Sequence, residues 1–271
     1  MNGYLPSAII KRNAKEQLFR YLGTGSGAFL LRILCTFTVA YILSFVPMDS
    51  MNLIIIYFII NVIEEIYEGI LLAGDNYIAL SIATNNAPKI SDLFIGFKGY
   101  IKKIAGIKLI PALIKTAVFI PFMLSYRNYV VAIESAFDMN ELMRMYQTGD
   151  IEGMMTIMEP VVLDGTIPSL VALLTGFFFL YIIVVEIINI LFSQSLFMLW
   201  DYPDKSSTEI VLNSIKLMKN SWGRYLYLQC SFILWDLMMF VTCYLSALWV
   251  GPYKRISYAN FYLDLMKNKS S

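Results

Sequence analysis

Residues 167–200 read IPSLVALLTGFFFLYIIVVEIINILFSQSLFMLW, thirty-four positions with a single charged side chain, Glu186. A helix needs about 20 mostly apolar residues to cross the hydrocarbon of a bilayer, and this stretch exceeds that. Working outward, comparable runs occupy Ala28–Val46 and Tyr225–Val250. Hydrophobic residues make up 58% of the chain, charged residues only 15%, and the mean hydropathy is +0.63. That composition lies outside the range of soluble globular domains. The chain therefore reads as an all-α, polytopic transmembrane bundle, a single integral membrane domain over residues 1–271.

Six apolar helices are expected, at 28–47, 52–84, 104–125, 167–200, 224–245 and 247–266. The second and fourth are too long for a simple crossing and must tilt, break or project beyond the bilayer. The sixth carries Lys254 and Arg255 after Gly251-Pro252, so spanning, re-entrant and surface placements all stay open. The 27 residues ahead of Ala28 are too long for the n-region of a cleavable signal, and the first apolar run reads as a retained helix.

Lysine and arginine set the orientation. Seventeen of the 21 fall in four segments: Lys11–Arg20, Lys89–Lys108, Lys205–Arg224 and Lys254–Lys269. The loop 126–165 holds only Arg127 and Arg144, against seven acids: Glu134, Asp138, Glu141, Asp150, Glu152, Glu159 and Asp164. The positive-inside rule places both termini in the cytoplasm and this acidic loop outside. Asp138 and Glu141 are spaced as a capped helix start, so the loop is expected to contain helix resting on the bilayer or on a partner.

Three basic amphipathic segments each precede a pair of apolar helices. The first aligns Ile10, Ala14, Leu18 and Leu22, with Lys11, Arg12 and Lys15 turned away. The second opens at Ser91-Asp92 and stacks Phe94, Phe97, Ile101 and Ile104 against Lys98, Lys102 and Lys103. The third starts with a Ser206-to-Glu209 capping box and lines up Val211, Ile215, Met218 and Trp222. Such helices lie in the headgroup plane with lysines toward anionic lipid. The pattern suggests three repeats of surface helix plus transmembrane hairpin.

Histidine is absent, which removes histidine-based triads, HExxH zinc sites and imidazole proton relays. Cys35, Cys230 and Cys243 show no CxxC spacing and read as small buried hydrophobes. Gly23-Thr24-Gly25-Ser26-Gly27 has neither a preceding strand nor a following Gly-Lys-Ser/Thr, so it reads as a flexible joint, not a phosphate loop. Met139, Met143, Met145, Met154, Met155 and Met158 could bind Cu(I), but methionines at helical spacing more often form an apolar or partner-binding face. No metal or cofactor is expected.

The sharpest chemical feature is in the second apolar helix. Glu64, Glu68 and Asp75 fall within about 40° of one another at 100° per residue, with Asn61 nearby. Ionised carboxylates in hydrocarbon cost at least a few kcal/mol and must face protein or water. Lys115, Glu186 and Asp236 on other helices complete a possible polar seam. One reading is a pathway for a proton, cation or cationic solute. The other is a set of structural charges paired with a cation such as Lys115, with Glu64–Glu68 at the wet interface. Glu64-Glu65 matches the start of the EExxxR motif of CPBP-type membrane proteases, but Gly69 stands where arginine is required. Gly74-Asp75 matches half of a GxGD aspartyl-protease motif, with Leu72 in the first glycine position.

The C-terminal third carries a wider pattern. Gln194-Ser195-Leu196-Phe197-Met198-Leu199-Trp200-Asp201-Tyr202-Pro203-Asp204, the run Ser214–Lys219, Trp222, Leu234-Trp235-Asp236-Leu237, Leu248–Tyr253 and Ala259–Tyr262 resemble bacterial membrane proteins of domain-of-unknown-function family 975. Ala14-Lys15 and Ser91–Lys98 are similar too. Family members usually carry Pro-Gly shortly before the Gln-Ser pair, where this chain has Glu186-Ile187, and they lack so long an external loop. The resemblance implies a bacterial plasma-membrane protein with an internal amino terminus, and implies no activity. The expectation is a non-enzymatic interaction or accessory component of a transport or peptide-resistance system, with no nucleic-acid partner. The alternative is a small cation transporter or channel using the acidic seam.

Overall fold

The computed structural model describes residues 3–43, 45, 53–136, 138–163 and 165–269, and its regular elements among them are all helical. Among the described residues, three stretches are long and apolar enough to cross a membrane: Leu22–Leu43, Ile101–Ala136 and Ile167–Asp201. The chain divides into two compact units, one of Met1–Leu113 with Ile188–Ser271, the other Ile114–Ile187.

The first unit is built around two helices, α3 (Leu53–Ala83) and α12 (Ala247–Lys269). Helix α12 packs against α1 (Ser7–Arg20), α2 (Leu22–Leu43) and α3, while α3 also packs against a 3-10 segment at Ile90–Phe97 and against α8 (Ser195–Asp201). Buried residues of α12 run from Ala247 and Val250 to Phe261, Tyr262 and Leu265 and lie all around its circumference. This is the sixth helix of the sequence reading, and it is the buried centre of its unit. Phe197 of α8 stacks on Tyr262 with ring centroids 5.5 Å apart, and the Tyr262 hydroxyl donates to Asp201 at 2.6 Å. Trp200 donates its indole N–H to the Ala73 carbonyl at 2.9 Å and meets Tyr77 and Tyr100 edge-on.

The start of the third amphipathic segment appears where the sequence puts it, whereas the second starts at Ile90, ahead of the expected Ser91-Asp92, with the Asp92 carboxylate accepting from the Lys89 N–H at 2.8 Å. Ser206 and Glu209 form the reciprocal capping box of α9 (Ser207–Met218). The expected face of α1 is buried at Ile10, Ala14 and Leu18, whereas Leu22 is exposed. That face packs against protein. Lys11, expected to turn away, donates to the Ser231 carbonyl and hydroxyl and lies over the Phe232 ring; burial lowers its pKa from the usual lysine value.

The longest apolar runs are interrupted. The 167–200 run divides into α7 (Thr166–Phe192) and α8, because the hydroxyls of Ser193 and Ser195 donate back to the carbonyls of Ile190 and Phe192. The run expected as one helix at 224–245 is two short ones, α10 (Trp222–Cys230) and α11 (Ile233–Val241). There Ser231 bonds back to Leu228, and Lys11 occupies the Ser231 carbonyl. The expected helix limits at 47 and 52 lie outside the described residues.

Further differences follow from packing. The second amphipathic segment is 3-10 and buries Leu93 and Gly96, leaving Phe97 and Ile101 exposed. In α9 the buried set is Ile210, Val211, Ser214, Leu217 and Met218, and Trp222 is exposed. The glycines of 23–27 are not a joint: they lie inside α2, with Gly25 buried close to Leu18 and Pro252. Cys230 and Cys243 are exposed, and Cys35 is half-buried.

In the second unit, the helix expected to end at 125 continues, so that α4 spans Ile101–Ala136. The remainder of the acidic loop forms α5 (Met139–Thr148) and α6 (Ile151–Leu163). Asp138 caps α5 as expected, accepting from the backbone N–H groups of Asn140 and Glu141. Helices α4 and α7 meet through Phe119 against Tyr181 at 5.0 Å and Phe122 against Phe178 at 5.9 Å.

Candidate functional site

Helix α3 crosses the first unit carrying Glu64, Glu65, Glu68 and Asp75. Their environment depends on what neighbouring helices place opposite them. Asp75 is buried, with its side chain only 5% exposed, and two guanidinium groups converge on its Oδ2. Arg32 Nε from α2 lies 3.3 Å away, and Arg255 Nε from α12 donates to it at 3.2 Å. Arg32 also lies 3.9 Å from the half-exposed carboxylate of Glu68, and its guanidinium sits over the Phe29 ring. Two arginines and two carboxylates thus form a formally neutral cluster tying α2, α3 and α12 together. Arginine suits this role because its planar guanidinium stays charged and offers several donors at fixed angles.

One turn earlier, Glu65 pairs with Lys108 of α4 at 3.0 Å. Gly69 makes that pairing possible: a Cβ there would stand 2.6 Å from the Lys108 Cγ, so the lysine stem runs across the bare glycine. Gly74 has a similar explanation. Its Cβ would collide with the backbone carbonyl of Leu93, so glycine lets the 3-10 segment lie directly on α3. Both fragments of protease motifs therefore coincide with close-packing positions.

The residues of the sequence-predicted seam are divided between the two units. Glu68 and Asp75 share Arg32, and Glu64 is half-buried on the same helix. Asp236 of α11 pairs separately with Lys254, whose Nζ donates to both carboxylate oxygens at 2.8 and 2.9 Å. Lys115 and Glu186 belong to the second unit, where both are half-buried. The cations on Asp75 are Arg32 and Arg255, whereas Lys115 was the expected partner. Adjacent residues of α12, Lys254 and Arg255, thus hold acids of two different helices.

Sequence reasoning passed over Arg32, although a signal for it existed. It is the single charged residue in the apolar run Ala28–Val46, and a lone arginine there requires a carboxylate partner. A second tie closes the amino-terminal end of the unit. Arg224 donates to Asp264 at 2.8 Å and to the Leu5 carbonyl at 2.9 Å, while the Leu5 N–H donates to Asp264.

Chemically, this arrangement compensates charge. A carboxylate facing two guanidinium groups is a poor general base and a poor cation ligand, since an arriving cation would have to displace an arginine. Among the described residues no three acidic or cysteine side chains cluster closely enough to hold a metal ion.

No curated protein and no solved structure is significantly similar to this chain. A family model does match, over residues 5–269, nearly the whole length that contains the arginine–aspartate cluster and its ties. The chain belongs to the family described as Protein of unknown function (DUF975).

Proposed function

We propose that the protein is a non-enzymatic, multi-pass integral membrane protein of the bacterial plasma membrane, with both termini cytoplasmic. In this reading it serves as an interaction or accessory component of a transport or peptide-resistance system. The observation that carries it is the compensation of the acidic seam. Asp75, the most buried member, is held by Arg32 and Arg255, and Glu65 and Asp236 each have a lysine. Acids paired in this way fasten helices together, and a passing cation would have to displace an arginine or a lysine from them.

The deciding experiment uses purified protein in proteoliposomes, with potassium and proton flux measured alongside thermal stability. This reading predicts no flux above protein-free vesicles. It also predicts that Asp75→Asn loses stability, with partial recovery in the double variant Asp75→Asn with Arg255→Gln, because the second change removes one of the stranded cations. Wild-type flux that a well-folded Asp75→Asn protein loses would instead establish a transport pathway. Orientation is tested separately by an impermeant thiol reagent on a cysteine-free background. A cysteine introduced at Thr148 should react from outside and one at Lys205 should not; the reverse pattern would invert the topology.

A further inference from the structure

Helices α5 and α6 form a short hairpin. Gly149 adopts the left-handed conformation (φ 72°) that ends α5, and Asp150 starts α6 by accepting from the Gly153 N–H at 2.9 Å. The two helices repeat one pattern at an offset of 12 residues, with Leu142, Met143 and Tyr146 answered by Met154, Met155 and Met158. Leu142 and Met154 are half-buried. Met143, Tyr146, Ile151 and Met155 are all more than half exposed, at 55%, 73%, 66% and 67%. The hairpin thus displays an apolar, methionine-bearing face that it does not bury itself.

Charge selects what fits that face. Residues 138–163 contain five carboxylates and one arginine, a net charge of −4, and the arginine, Arg144, is already 3.9 Å from Glu141. Glu152 and Glu159 are exposed and flank the Met155 side of the α6 face within about 60° on the helical wheel. An anionic lipid surface would be repelled by these acids. A second copy docking the same face two-fold would set like charges against each other. A cationic partner with an apolar stripe satisfies both features, and flexible, polarisable methionine suits a surface that accommodates such helices.

We propose that the exposed face of the α5–α6 hairpin docks a cationic amphipathic helical peptide. Met143, Tyr146, Ile151 and Met155 receive its apolar stripe, and Glu152 and Glu159 receive its lysines or arginines. The Asp75 cluster plays no part in this contact, so the docking proposal and the accessory reading can fail independently.

The test uses the full chain in neutral phosphatidylcholine nanodiscs and a fluorescent peptide of leucine and lysine at helical spacing. Protein-free nanodiscs provide the reference, and binding is followed by anisotropy. Saturable binding above the reference is expected. It should weaken about tenfold in Met143→Ser with Met155→Ser, and independently in Tyr146→Ser. Glu152→Gln with Glu159→Gln should lower affinity and flatten its salt dependence. All these positions are exposed, and unchanged thermal melting of each variant verifies its fold. The proposal is overturned by equal binding to wild type and all variants, or by equal binding of a leucine–glutamate peptide. It is overturned as well by a dimer that Met143→Ser with Met155→Ser abolishes, or by capture of anionic vesicles in place of the peptide.

Discussion

The two units of this chain stabilise themselves by different means. The first has a contiguous apolar core, reaching from Ile10 and Leu71 through Leu199 and Ile210 to Tyr262, with charges tied inside or along it. The second has almost none: of its described residues, only Thr116 and Ser125 are buried. Phe178, Phe179, Leu180 and Ile183 are exposed along α7 as it stands. Without a protein interior to enter, such side chains need an apolar surrounding, and a bilayer supplies one. The first unit therefore has a protein core of its own beside exposed apolar faces on α2 and α11, at Phe37, Leu234 and Val241 among others, whereas nearly all of the second depends on its solvent.

Substitutions can break or sharpen that contrast. The largest effect is expected at Asp75. Asp75→Ala leaves Arg32 and Arg255 facing each other without their carboxylate and should destabilise the first unit by about 3 kcal/mol or more, read as a loss of thermal stability in mild detergent. Next comes Gly74→Ala. Its new methyl meets the Leu93 backbone, which has no flexible end to move aside, and the expected cost is about 2 kcal/mol in the same assay. Tyr262→Phe keeps the stacking on Phe197 but deletes the donor to Asp201, for about 1 kcal/mol. The smallest change belongs to the second unit. Nothing stands within 4 Å of a Cβ built on Gly176, so Gly176→Ala should be neutral or stabilising by up to about 1 kcal/mol through helix propensity alone. If Gly74→Ala and Gly176→Ala melted alike, the contrast between packed and unpacked units would be lost.

These differences also mark what the sequence could reveal. Signals confined to a few neighbouring residues were legible: the Asp138 cap, the Ser206–Glu209 box and the buried side of α1. The stripe linking Glu68 to Asp75 was legible as well, because helical periodicity is local. Its partners were not, since Arg255 stands 180 residues from Asp75 and no local pattern joins them. The placement of helix α12 stays open in the sequence for a related reason. Lys254, Arg255 and Asp264 lower its apparent apolarity, yet Asp236, Asp75 and Arg224 pair with them and let the helix occupy the centre. Breaks at Ser193–Ser195 and Ser231 were hidden because a hydropathy window counts serine as mildly polar and ignores the carbonyl that its hydroxyl captures.

The most direct test of the two-unit account is hydrogen–deuterium exchange, followed by mass spectrometry, on the full chain in lipid nanodiscs and again after delipidation into mild detergent. The account predicts that amides of Leu71–Ala83 and Ile256–Leu265 keep their protection through delipidation, while those of Phe119–Tyr126 and Leu173–Ile183 lose it severalfold. Equal loss in both sets, or earlier loss at α3 and α12, would contradict the claim that one unit carries its own core and the other borrows the bilayer.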